Sequence, residues 1–150
     1  MSWVSKIFFF YIIIMSCSMS FAEDSYYLTL RNDKVNLRQG PSLNYPVKLV
    51  YKKKFLPILI QDKSGNFRKT LDHENNSGWI HVSQLSKKRA ALSNFDDAII
   101  FQKPSIYSRP LARLEIGRLC LVKKCKNNWC KIETGDYSGW IEKQNLKGRL

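Results

Sequence analysis

The residues in this 150-residue chain whose types and spacing could do chemistry fall in two places. The first is Arg38-Gln39-Gly40-Pro41-Ser42. Its guanidinium is a planar fork suited to carboxylates and other anions, so the stretch offers a hydrogen-bonding edge to a peptide or a glycan. The same Gly and Pro also suit a loop that holds no ligand, since Gly takes positive φ and Pro fixes φ. Around it, Asn36, Tyr45, Phe67 and Trp79 supply an amide and flat rings of the kind with which a small domain lines a groove for an extended segment. The second place is Cys120, Cys125 and Cys130. Their spacings lack the short C-x2-C pair of zinc sites, and neither His73 nor His81 is near them in sequence, so no metal is expected.

In an oxidising compartment these cysteines point instead to a disulfide. Cys125 and Cys130 flank the turn Lys126-Asn127-Asn128, and a hairpin there brings their Cβ atoms near bonding range. Cys120 with Cys130 is the alternative pairing, and either choice leaves one thiol free. A thiol with no His placed by motif is weak ground for a hydrolase. Other catalytic parts are missing: there is no Ser/His/Asp arrangement, no phosphate loop and no H-E-x-x-H, and Asp96-Asp97 reads as the opening of a strand. The expectation is a protein that is not an enzyme and carries no cofactor.

The elements that position these residues come as a repeat. Ser77-Gly78-Trp79-Ile80 returns as Ser138-Gly139-Trp140-Ile141, an offset of 61 residues, and Asn66-Phe67-Arg68-Lys69 is echoed by Asn128-Trp129-Cys130-Lys131. An ordered series of matches is duplication. Each block reads as a turn running into a strand whose Trp covers one side of a small core, which puts Trp79 and Trp140 in the cores even as Trp79 is a candidate groove lining. Upstream, Tyr26, Leu28 and Leu30, then Val35 and Leu37, alternate with other residues at the period of a strand with one buried face. Short strands follow, separated by turns, with a helical turn at Ser83-Gln84-Leu85 and a last strand near Arg89 to Ser93 closing the unit. Such strands close most naturally as a small twisted barrel. The fold class is therefore all-β, with one domain over 27–94 and a degenerate copy over 96–148. In that copy Ala98-Ile99-Ile100-Phe101 replaces Val35-Asn36-Leu37-Arg38, and Pro104-Ser105 falls where Pro41-Ser42 does. No Gly/Ser-rich or Pro-rich linker intervenes, so the two barrels should touch.

Met1 to Ala22 reads as a secretory signal, with Lys6 before the apolar run Ile7 to Ile14 and Ser20-Phe21-Ala22 at the cleavage site. A competing reading takes Ile14-Met15-Ser16-Cys17 as a lipobox with Cys17 carrying a lipid. Either way the protein is expected to be exported to the periplasm, with no membrane contact beyond the signal or that lipid. The net charge of +13 suits an anionic polymer, and Lys52-Lys53-Lys54 and Lys87-Lys88-Arg89 are its densest runs. Nucleic acid is suggested by charge alone and opposed by export.

Val35-Asn36-Leu37-Arg38-Gln39-Gly40-Pro41-Ser42, followed by Tyr45-Pro46-Val47 and ended by Gly78-Trp79-Ile80, resembles the bacterial SH3-like domain family. The chain resembles exported SH3-domain proteins of Gram-negative bacteria that carry two degenerate copies. The resemblance implies a small barrel in each unit and attachment to the cell wall or to peptide segments. The second copy departs from the motif, with Phe101 and Lys103 where the Arg and Gly stand. The expected function is that of a non-enzymatic envelope protein recognising peptidoglycan peptides or another anionic wall component, with the first copy binding and the second bracing it. The alternative is a periplasmic protein-interaction module that docks an extended or proline-rich segment of a partner.

Overall fold

The computed structural model describes residues 24–150, so the expected signal and Cys17 lie outside the described residues. Within them the first unit holds β1 (Tyr26–Leu30), β2 (Val35–Arg38), β3 (Val47–Tyr51), β4 (Pro57–Ser64), β5 (Phe67–Leu71), β6 (Ser77–His81) and β7 (Leu85–Ser86). The second holds β8 (Ala90–Ser93), β9 (Ala98–Phe101), β10 (Pro110–Leu114), β11 (Leu119–Lys126), β12 (Trp129–Thr134), β13 (Tyr137–Glu142) and β14 (Leu146–Arg149). Two antiparallel seven-stranded sheets result, in the orders β3-β2-β6-β5-β4-β1-β7 and β10-β9-β13-β12-β11-β8-β14. The second order is the first moved along by one unit, so the duplication visible in the residues is a duplication of topology.

One strand changes sides. Ala90–Ser93 was expected to close the first unit, yet it opens the second, pairing Leu92 with Leu119 and Ser93 with Leu146. The first unit closes instead through β7 on β1, with Leu30 opposite Leu85. The physical reason is that β8 has no polar face. All four of its residues are buried, and it lies between two cores, with Leu92 packed into the first and Ala91 into the second. Without period-two alternation the sequence cannot say which sheet such a strand joins.

Elsewhere alternation holds. Val35, Leu37, Ile58, Ile60 and Ile80 build the first core; Ala98, Ile100, Val122, Ile132 and Ile141 build the second. Each fully buried Ile contributes about 1.5–3 kcal/mol. The repeated Trp corrects a further expectation, because Trp79 and Trp140 are half-buried on the outer face while Ile80 and Ile141 point inward. Parity is set by the preceding glycine. A Cβ at Gly78 would stand 2.7 Å from the Arg38 carbonyl oxygen and 2.7 Å from Leu37 Cγ, and one at Gly139 would stand 2.6 Å from the Phe101 carbonyl oxygen. β2 and β9 therefore cross so close to the inner side of β6 and β13 that only Gly fits there, and the next residue must face out.

The domains touch, as the missing linker implied. Arg149 donates from Nε to the Lys87 carbonyl and from Nη1 to the Tyr27 carbonyl, both at 2.9 Å, which pins β14 to the first domain.

Candidate functional site

Directly opposed residues of an antiparallel pair share a face. Lys69 on β5 stands opposite Trp79 on β6, and Trp79 stands opposite Arg38 on β2, so the three form one row on the outer face of the first sheet. Asn36 lies two residues along β2 on the same face, with its backbone N–H donating to Gln84 Oε1 at 3.1 Å. Phe67 shares the face but is not available as lining: it is 7% exposed and meets the His81 ring edge-on at 5.1 Å. Four of the five expected residues thus come to one face, and one of those four is covered.

The fifth, Tyr45, is in the loop that leaves this row. Arg38 Nη1 donates to the Tyr45 carbonyl at 2.9 Å and to the Leu43 carbonyl at 3.3 Å. The guanidinium expected as an anion fork therefore has one nitrogen engaged in holding the loop. Gly40 is there because of Tyr45, since a Cβ on it would fall 2.5 Å from the tyrosine ring. Ser42 Oγ accepts from the Asn44 N–H at 3.1 Å and closes the turn. So arranged, the loop presents Leu43, Tyr45 and Val47 to solvent beside the cationic row.

The second unit keeps the frame and changes its furniture. Its corresponding row is Lys131, Trp140 and Phe101, extended by Lys124. The loop repeats the same backbone bonds, with Ser105 Oγ accepting from the Tyr107 N–H at 3.2 Å. Lys103 and Ser108 replace Gly40 and Tyr45 as a pair, and Ser108 Oγ bonds the Lys103 backbone where the tyrosine ring would have lain.

A family profile described as the bacterial SH3 domain matches the chain twice, at residues 31–87 and 96–148. The chain belongs to the bacterial SH3 domain family. Both matches start after the strand that opens each sheet, so β1 and β8 lie outside them. Among solved structures the chain is similar to NlpC2 from Trichomonas vaginalis, at 15% identity over 84% of this chain and 49% of that chain, with a TM-score of 0.39. It is similar also to NlpC1 from the same organism, at 16% identity over 91% of this chain and 50% of that chain, again at 0.39. The chain spans about half the length of each. Among curated proteins there is no match.

In the second SH3 domain the cysteines resolve as Cys125–Cys130, directly opposed across the β11–β12 hairpin, and the alternative with Cys120 is not made. Cys120 is buried, and burial pushes its thiol up to about 11, against weaker opposing effects from Thr134 and Arg118. Its thiol is therefore held in the protonated form at neutral pH. The first SH3 domain has a buried carboxylate instead. Asp72 accepts from the Tyr51 hydroxyl, the Asn76 amide and the backbone N–H groups of Glu74 and Asn76. Burial alone would raise its pKa, but these bonds outweigh it and hold the carboxyl below its ordinary value.

Sequence reasoning missed one feature. A cavity of about 480 Å³ lies where the two SH3 domains meet, walled by Tyr27, Leu59 and Leu71 on one side and Leu92, Ile116 and Lys147 on the other. Leu92 in its wall belongs to β8, which joins the second sheet while packing on the first core, and no local signal announces such a strand.

Proposed function

We propose that this protein is an exported, non-enzymatic binding protein of the cell envelope that holds carboxylate-bearing peptidoglycan peptides on the outer face of its first SH3 domain. The observation that supports this reading most is the row Lys69, Trp79 and Arg38 leading into the Tyr45 loop. It sets cations beside a half-buried ring on paired strands, where little side-chain freedom is lost on binding. Lys69 is exposed and makes no ion pair among the described residues, although Asp62 stands directly opposite it on β4, so its ammonium can meet a ligand carboxylate only beside that acid. Arg38 contributes mainly by positioning, through the carbonyls of the loop it holds. Export is supported by the Met1 to Ala22 pattern, and the Cys125–Cys130 bond suits an oxidising compartment.

Retention on purified peptidoglycan at low and high salt tests this. Retention should fall with salt and drop about tenfold in Lys69→Ala and in Trp79→Ala, variants that leave the inward faces intact. Absence of retention would transfer the site to an extended segment of a periplasmic protein. Mass spectrometry of the secreted protein should find Glu23 at its N-terminus, and a lipid on Cys17 would place it on a membrane instead.

A further inference from the structure

The second SH3 domain was expected to brace the first, yet its outer face carries more exposed chemistry. Lys124, Lys131, Trp140 and Phe101 stand in register across β11, β12, β13 and β9. The adjoining row is Lys126, Trp129 and Glu142. Phe101 and Trp129 meet edge to face at 5.7 Å, and the Lys124 ammonium lies 5.6 Å from the centre of the Trp140 ring. All three rings are half-buried, each fixed by its strand and open on one side. Lys124, Lys126 and Lys131 have no ion pair among the described residues, the acid Glu133 being joined to Lys123. Gln144 donates its amide to the Glu142 carboxylate at the edge of the platform.

We propose that this face is a second binding site, for an acidic polysaccharide. Flat sugar faces carry C–H groups that pack on indole rings, as apolar edges do on any aromatic face. Carboxylates along such a chain meet Lys124, Lys126 and Lys131. Sugar hydroxyls donate to Glu142 and accept from Gln144, whereas a DNA backbone has no hydroxyl to donate to that carboxylate. Rigidity comes from below: the Cys125–Cys130 bond joins the two strands at the register position between the pairs Lys124–Lys131 and Lys126–Trp129, so the platform is held before any ligand arrives. The setting rests on the envelope reading above, but none of the first SH3 domain's residues takes part.

Calorimetric titration of the whole protein with tetragalacturonate tests the site, with neutral chitotetraose and a thymidine oligonucleotide as comparisons. Tetragalacturonate should bind, more tightly than chitotetraose and more weakly as salt rises. Trp140→Ala and Lys131→Ala should each weaken it about tenfold, and Trp79→Ala should leave it unchanged. If Trp140→Ala does not fold, Lys131→Ala carries the test, because it removes only an ammonium and its stem from the outer face. No binding of tetragalacturonate, binding that survives both second-domain variants, or tighter binding of the oligonucleotide at the same residues would overturn the proposal. Peptidoglycan retention that depends on Lys69 while tetragalacturonate fails to bind would leave the first site standing and remove this one. The reverse result would do the opposite.

Discussion

The loop after β2 and the loop after β9 follow one backbone path with different side chains. Gln39 N–H bonds the Pro46 carbonyl and Gln102 N–H bonds the Arg109 carbonyl; Ser42 and Ser105 each close the same turn. What differs sits on that path: Arg38, Gly40 and Tyr45 in one, Phe101, Lys103 and Ser108 in the other. A duplicated fold has kept the positions that its backbone requires and let the rest drift in compatible pairs. Motif loss in the second copy therefore changes which groups are displayed while leaving the frame whole.

The largest effects should come from the shared frame and be equal in both copies. Gly78→Ala and Gly139→Ala each force a Cβ against a neighbouring strand's carbonyl, and each should cost about 2–3 kcal/mol in a denaturant melt. A large loss in one domain and none in the other would mean that the two crossings are not equivalent.

Next come effects confined to one domain. Cys125→Ser should destabilise the second SH3 domain by about 1–3 kcal/mol under oxidising conditions, with backbone amides of the first showing no added exchange. Acid should act on the opposite half. Asp72 has a depressed pKa in the folded state, so it stabilises the first domain above the ordinary carboxylate range, and that stabilisation is lost as the pH falls through the depressed value. Its counterpart in the second sheet is Thr134, which donates its hydroxyl to the Leu119 carbonyl and has no charge to lose. Spectra recorded down a pH series should show the first domain loosening before the second, and Asp72→Asn should abolish the difference in acid response.

The smallest effect sharpens the loop comparison. Gly40→Lys should cost about 1 kcal/mol because the new side chain meets the Tyr45 ring, which at 47% exposed can swing aside. Adding Tyr45→Ser imports the second copy's pair and should recover most of that loss. If the two changes are simply additive, the pairwise exchange has no basis in contact.

Much of this was legible in the residues. The repeated Ser-Gly-Trp-Ile block, the alternation of Val35 and Leu37 and the turn between Cys125 and Cys130 are local patterns, and each gave the right element. What was not legible depended on contacts across the chain. Trp79 is preceded by Gly and followed by Ile, so either parity of that strand buries a large apolar residue, and only the closeness of β2 decides which. Ala90–Ser93 has two buried faces and so carries no sign of its sheet. Phe67 looked like an open ring because nothing nearby in sequence predicts that His81 lies over it. Arg38 looked like a free fork because its loop carbonyls come to it only once the turn has closed.

Two different binding faces displayed on one frame would be read separately by the indole N–H resonances of Trp79, Trp129 and Trp140. Titrating the isotope-labelled protein first with soluble peptidoglycan stem peptides and then with tetragalacturonate reads both faces in one sample. The peptides should move the Trp79 resonance alone, and tetragalacturonate should move those of Trp129 and Trp140 alone. Movement of all three by either ligand, or of none by both, would contradict that separation.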